Sequence, residues 1–391
     1  MSANLLKGLI EMALDERKKC ILKAVVDDYI ATAEPVGSKA LVSRYHFKVS
    51  PATIRNEMAE LEELGYLEQP HTSAGRVPSD KGYRAYVDTL LPVEDITRED
   101  AERISRYLSD SLDELTSLIR RASSVLSEQT GYTSVALSPQ LHRSQLQQIK
   151  MLMIEPGRAL VVVVLSAGVV KDRLVRIPDL LDAQQLMQVA SAIESGLAGM
   201  KLDDITLVTV AAAARQTPVP DSLLNQVLYE AYVSIKQADN LEVYMDGTHN
   251  LLSFPEFSDV NKAREHLMTL TSSGMIAGYM NEMKDQEDQG ASAGESTDLS
   301  EPEPPGAASR PAYTVRIGQE ILLDGLQDCS FVTTTYKMGD YVAGRIGVIG
   351  PKRMTYGKVI SHISFIKQTL NEQIRSLAAG RDRTEDHEDE A

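Results

Sequence analysis

The sequence predicts an α+β multidomain protein that opens with a winged helix-turn-helix, and three features lead there. Glu34 to Leu67 reads as two helices joined by a tight turn and followed by a strand. Gln148 to Leu165 alternates or runs apolar around the turn Pro156 to Arg158, as adjacent antiparallel strands do. Leu180 to about Val243 carries helical periodicity instead. With 391 residues and 43% hydrophobic content, the chain can build two or three domains with real cores.

Asp15 to Thr32 supplies the first helix, with Ile21, Val25 and Tyr29 at core-facing spacing. Ser38 sits where an N-cap belongs, after the breakers Pro35 and Gly37, and opens a short helix through Tyr45. After a turn at Phe47 to Val49, Ser50 caps the next helix. Pro51 takes its first position, where a missing N–H costs nothing, and Gly65 lies just past its end. Ile54, Met58 and Leu61 form the buried stripe, leaving Thr53, Asn56 and Glu60 opposite and Arg55 at the edge. A recognition helix needs such a polar first turn, because Asn reads adenine, Arg reads guanine and the positive helix end faces phosphate. An ordinary amphipathic helix with a solvated face has the same pattern.

Tyr66 to Gln69 and Arg76 to Pro78 then read as two short strands around Pro70 to Gly75, a wing whose His71, Thr72 and Ser73 can lie along a phosphate backbone. Ser79 or Asp80 starts another helix. Its Lys81 and Arg84 serve either as phosphate contacts or as paired surface charges.

Arg98 to Gly131 reads as one helix with Ile104, Leu108, Leu112, Leu115 and Ile119 on its apolar face. Strands are expected at Gln148–Glu155, Leu160–Leu165, Tyr313–Ile317, Cys329–Tyr336 and Tyr341–Ile349, and a closing helix at Gly357–Ala379, together a sheet flanked by helices. Helices at Asp182–Leu197, Leu202–Ala214 and Pro220–Gln237 interrupt that sheet, as an insertion does. Leu223, Leu224, Val227 and Leu228 exceed what one thin helical layer can bury. They either face another subunit or pack on the parent sheet. Glu287 to Ser309 is acidic, Pro/Gly/Ser-rich and without aromatics, so it should be a disordered loop, and the acidic tail after Arg381 should be mobile.

Several long stretches resemble one family. Tyr29–Leu41 (YIATAEPVGSKAL), Ser50–Asp88 (SPATIRNEMAELEELGYLEQPHTSAGRVPSDKGYRAYVD), Asn250–Val260 (NLLSFPEFSDV), Arg316–Glu320 (RIGQE) and Gly344–Ile360 (GRIGVIGPKRMTYGKVI) resemble the heat-inducible transcription repressor HrcA family, over about Leu14 to Leu377. The resemblance implies a cytoplasmic homodimeric repressor without a cofactor. It implies a winged helix-turn-helix at residues 1–95 and a GAF-like α/β domain at 96–179 and 244–380, with an acidic loop at 285–310. A helical-rich dimerisation domain is inserted at 180–243, and an acidic tail fills 381–391. It further implies binding to double-stranded DNA carrying an inverted repeat upstream of chaperone genes, and a need for the GroE chaperonin to reach the DNA-binding form. Ser38, Lys39, Lys48, Ser50, Thr53, Arg55, Asn56, His71, Thr72 and Arg76 are the expected DNA contacts. Leu223, Leu224, Val227 and Leu228 are the expected dimer contacts. A GAF-like domain could alternatively hold a small molecule, which a deep polar-lined pocket would reveal.

The formal net charge of −16 looks wrong for a DNA binder until it is read by segment. Met1 to Leu90 carries 12 Lys+Arg against 13 Asp+Glu, whereas Glu282–Glu303 holds −7 and Arg381–Glu390 holds −4. A near-neutral head binds DNA if Lys39, Lys48, Arg55, Arg76, Arg44 and Arg84 cluster away from its acids, and its modest affinity then calls for two heads on two half-sites.

Other classes find little support. Cys20 and Cys329 have no disulfide-framework or zinc spacing, and a reducing compartment suits them. The most apolar run, Ala159 to Val170, is too short to span a bilayer. Gly344, Gly347 and Gly350 precede Lys352 but match neither a P-loop nor a dinucleotide fingerprint, and strand-ending turns are the expected use. No catalytic constellation stands out.

Overall fold

The computed structural model describes residues 14–71, 74–91, 95–109, 115–139, 141, 144–215, 217–292, 313–338 and 341–388. Helix α1 (Glu16–Thr32) starts at Asp15, whose carboxylate accepts from the Lys18 N–H at 2.8 Å, and stops where Ala33 turns left-handed. Helix α2 (Ser38–Tyr45) begins one residue earlier than expected, with Gly37 at the cap and no side-chain bond there. Ser38 is therefore a buried first-turn residue. His46, at φ 52°, breaks the helix by entering the left-handed region, which a non-glycine residue adopts only at some cost.

Helix α3 (Pro51–Glu63) is capped as the sequence predicts: Ser50 Oγ accepts from the Thr53 N–H at 3.1 Å, and Ile54, Met58 and Leu61 are buried. Strands β1 (Leu67–Glu68) and β2 (Val77–Pro78) form the wing. Its stem is extended by Val36, which exchanges two 2.9 Å backbone bonds with Arg76. Gly75 passes so close to the Val36 carbonyl that a Cβ there would collide with backbone. Helix α4 (Asp80–Ala85), capped by Ser79, widens into a π turn at Tyr86–Leu90.

The rest of the chain is a body built on a five-stranded antiparallel sheet. The expected helix at 98–131 is two, α5 (Arg98–Ser109) and α6 (Leu115–Thr130), and Leu112 lies outside the described residues. The strands are β3 (Thr133–Leu137), β7 (Val243–Asp246), β8 (Thr314–Ile317), β9 (Cys329–Met338) and β10 (Tyr341–Pro351), in spatial order β7-β3-β10-β9-β8. Both faces are covered. Ala136, Val332, Ile346 and Val348 pack toward the side shared by α6 and the closing helix α12 (Tyr356–Glu388). Val135, Phe331 and Ile349 meet Phe257 and the residues Leu270, Ile276 and Met280 of helices α10 (Val260–Thr271) and α11 (Ser273–Ser292). Gly347 and Gly350 lie inside β10, not at turns. A Cβ at Gly347 would stand 2.6 Å from Thr333 Cγ2, and one at Gly350 2.6 Å from Tyr132 Cδ1, so glycine there serves close packing.

The insertion is larger than the expected 180–243. Strands β4 (Leu146–Glu155), β5 (Arg158–Leu165) and β6 (Val170–Arg176) make a separate sheet in the order β4-β5-β6. Helices α7 (Ala183–Leu197), α8 (Leu207–Ala213) and α9 (Asp221–Gln237) accompany it, with α7 and α9 packed against its strands. The 2.9 Å bond from Leu146 N–H to Met200 O ties the first strand to the chain leaving α7, which moves the start of the insertion to about Ser144. Strand periodicity reports a half-buried pleat but not the sheet it joins. Leu224, Val227 and Leu228 are buried and Leu223 half-buried inside this unit, so they do not form a free dimer surface. Two stretches expected to lack structure are helical in part: α11 continues through Ser292 and α12 through Glu388. Glu, Arg, Gln and Ala sustain a helix once a packed segment has nucleated it. The remainder of the acidic loop lies outside the described residues.

Candidate nucleic-acid interface

The geometry of α3 depends on where its acids go. Lys18 Nζ on α1 reaches Glu60 at 2.9 Å, Glu57 at 3.0 Å and Asp15 at 3.1 Å, and Arg17 reaches Glu57 at 3.5 Å. Hydrogen bonds to Glu60, then Glu57 and Asp15, hold the Lys18 ammonium well above the usual lysine range. Farther along, Glu62 Oε2 pairs with Arg76 Nη2 at 2.7 Å. The carboxylates Glu57, Glu60 and Glu62 are thus matched by cations of the same unit. Arg55 and Asn56 stand exposed, and Arg55, Lys39 and Lys48 have no carboxylate partner among the described residues. A segment near neutral in sum therefore still presents uncompensated, exposed cations, as phosphate binding requires.

The expected contacts divide on this geometry. Lys39, Lys48, Ser50, Arg55, Asn56 and His71 are exposed, and Thr53 is half-buried. The Ser50 hydroxyl is already spent on the cap and stands 3.0 Å from Thr53 Oγ1, so both side chains brace the helix start. Ser38 is buried. Arg76 is an internal brace of the wing, paired with Glu62 and bridged to Val36, and not a free phosphate ligand. Thr72 lies outside the described residues.

Arg44 pairs with the buried carboxylate of Asp28. Lys81 Nζ donates to Leu64 O at 2.8 Å and lies 4.2 Å over the Tyr66 ring, so it too is a packing residue. Arg84 points away from the wing, into the body. It donates from Nη2 to Val315 O at 2.8 Å, from Nε to Glu320 at 3.0 Å and from Nη1 to Asp88 at 3.2 Å. Asp88 is a local i,i+4 partner, but Val315 and Glu320 lie more than two hundred residues downstream, a pairing that no local pattern announces.

An open, largely apolar cleft of about 560 Å³ runs along Leu252, Phe257, Ala263 and Leu267 on the surface of the body, but the interior beside its central strands is filled. The cavity beside Arg345, lined by Leu137, Ser138, Met280 and Gly344, encloses about 10 Å³. That is room for about one water, far below a ligand pocket. Tyr336 fills the neighbouring space and donates to Leu137 O at 2.6 Å. Among the described residues no group of His, Cys, Asp and Glu is arranged to hold a metal, and no helix is long and apolar enough to cross a membrane.

A helix-turn-helix with a wing, carried on a large α+β body, defines the class of transcription regulators. The chain belongs to the heat-inducible transcription repressor HrcA family, a family of repressors and not of enzymes. The model of the HrcA protein C terminal domain matches residues 116–360. The heat-inducible transcription repressor HrcA of Ruminiclostridium cellulolyticum is 38% identical over 368 residues, covering 94% of this chain and 99% of that protein. Those of Acetivibrio thermocellus and Symbiobacterium thermophilum are each 37% identical, covering 94% and 93% of this chain and 98% and 99% of their own lengths. A crystal structure described as a hypothetical protein, 21% identical, superposes with a TM-score of 0.57 over 93% of this chain and 99% of that one, and shares the fold.

Two substitutions separate reading from bracing. Arg55→Ala should keep the wild-type melting temperature while weakening specific DNA binding by about 1–3 kcal/mol and relaxing preference at one base position. Arg76→Ala should instead lower the melting temperature. Unchanged specific affinity in a folded Arg55→Ala protein would remove α3 from base reading.

Proposed function

We propose that the protein is a homodimeric repressor that binds an inverted repeat in double-stranded DNA upstream of chaperone genes. The observation that carries this reading is the exposed Arg55 and Asn56 at the start of α3, with Glu57, Glu60 and Glu62 matched by cations of the same unit. In this arrangement Arg55 and Asn56 read base edges, while Lys39, Lys48 and the wing at His71 hold phosphate. The body takes the GAF-like role in a structural sense, as its filled interior favours support over small-molecule sensing.

Dimerisation falls to the insertion, through its sheet and not through α9. Strand pairing places Leu152, Leu160 and Leu174 in one cross-strand row and Val164 beside Val170 in another. Leu152, Ile154, Leu174 and Val170 are each about half or more exposed. Lys150 and Asp172, opposite Val162, divide these rows, and a two-fold contact between identical faces covers the exposed apolar side chains on either side of them. Selection of bound DNA from a random pool should recover an inverted repeat with wild-type protein. Leu152→Asp with Leu174→Asp should give a monomer that loses the repeat, whereas an intact dimer would place the interface elsewhere.

The family resemblance adds the GroE chaperonin as the partner that sets the amount of active repressor. The fold supplies a reason. β3 must wait for β10, which pairs Ile346 with Ala136 across the whole insertion, and such distant pairing folds slowly with apolar surface exposed. Denatured protein diluted alone should regain little DNA binding and substantially more with chaperonin and ATP. Equal recovery would reject the coupling.

A further inference from the structure

Three of the sequence motifs outside the reading head, at Asn250–Val260, Arg316–Glu320 and Gly344–Ile360, converge on one place: the seam between that head and the body. The seam has three separate points of attachment. At the start of α4, Asp80 Oδ1 accepts from Lys352 Nζ at 2.7 Å and its Oδ2 accepts from the Gln319 N–H at 3.0 Å. Gly318 is left-handed there, at φ 55°, and any Cβ would strike the Asp80 carboxylate. One turn along α4, Arg84 is held by Glu320 and Val315 O, and Glu320 in turn accepts from the Ile317 N–H at 2.9 Å. At the far end of α1, Arg353 Nη1 donates to Ile30 O at 3.2 Å, while Glu256 accepts from Arg353 Nη2 at 3.3 Å. Tyr83 and Tyr86 pack on Tyr356 between these points, with ring centroids 6.3 and 6.5 Å apart.

Attachments on two helices of the head, α4 and α1, restrain its orientation, which a single tether would leave free. Partly buried ion pairs add little net stability, because desolvation offsets most of their attraction, but they are selective about geometry. We propose that Asp80 and Arg84 are positioning residues for DNA recognition, held by Lys352, Gln319, Glu320 and Val315 so that the body sets the angle and spacing of the two recognition helices. They touch no DNA themselves. Their effect is on which half-site separation the dimer accepts, and this rests on the dimeric DNA-binding reading above.

The test measures affinity of the full-length protein for a single half-site and for inverted repeats whose spacer is lengthened or shortened base pair by base pair. Wild-type protein should prefer one spacing sharply. Arg84→Ala, and Lys352→Met as an independent cut from the body side, should lose about tenfold or more at that spacing, because the second contact is no longer preorganised, while half-site affinity stays unchanged. The charge swap Arg84→Glu with Glu320→Arg should restore the preference in part. An unchanged spacing profile in both single variants, or an equal loss on half-site and full site, overturns the positioning role. Absence of any spacing preference in the wild-type protein overturns it too, and also contradicts the underlying dimeric reading, which the unchanged half-site affinity then isolates as the step that fails.

Discussion

Strand β10 is the element on which the remaining architecture depends, because it is paired on both sides and extended past its end into the seam. It joins β3 on one edge and β9 on the other, closing the sheet across the insertion. Immediately beyond Pro351, Lys352 and Arg353 grip Asp80 and Ile30 of the DNA-reading head. Its glycines admit Thr333 and Tyr132 at distances that a Cβ would forbid. A side chain at Gly347 or Gly350 would therefore disturb the sheet, and through it both the insertion and the seat of the head. The covalent order of the chain is split by the insertion; β3 and β7, which flank it, pair directly, and β10 joins that pair to β9 and β8.

Charge economy in the reading head follows a related logic. The head carries nearly as many acids as bases, yet Lys18, Arg17 and Arg76 engage the carboxylates of Glu57, Glu60 and Glu62 within the unit. Those contacts serve two ends together: they dock α3 on α1 and the wing, and they leave Arg55, Lys39 and Lys48 without internal partners among the described residues. Net charge is a poor guide to binding for this reason, since the field at a surface depends on which charges are already compensated.

Much of the fold was legible in the sequence. The Ser50-Pro51 start of α3 and the stripe Ile54, Met58, Leu61 follow local rules, and they are found as expected. What was not legible is non-local. The turn at Pro156–Arg158 announces that β4 and β5 are antiparallel neighbours, as they are, but only the hydrogen bonds show that with β6 they form a sheet of their own and not part of the body sheet. Leu224, Val227 and Leu228 read as surplus apolar area because the sheet that covers them was assigned to the body. Arg76 read as a phosphate ligand, and Arg84 as either that or a paired charge, because a sequence gives a cation's sign without its partner. β3 and β7 went unseen: Thr133–Leu137 is only five residues, buried throughout, with no alternation to betray it.

The central claim is that two recognition helices are presented at a fixed separation before DNA arrives. Its most direct measurement is the distance between spin labels at Glu63→Cys, the exposed last residue of α3 two turns past Asn56, in a Cys20→Ser background where the buried Cys329 stays unlabelled. The account predicts one narrow distance distribution without DNA, centred near one DNA helical turn or a multiple of it, about 34 Å or more, and little changed when the inverted repeat is added. A broad distribution that narrows only on DNA, or no dipolar signal between subunits, would contradict it.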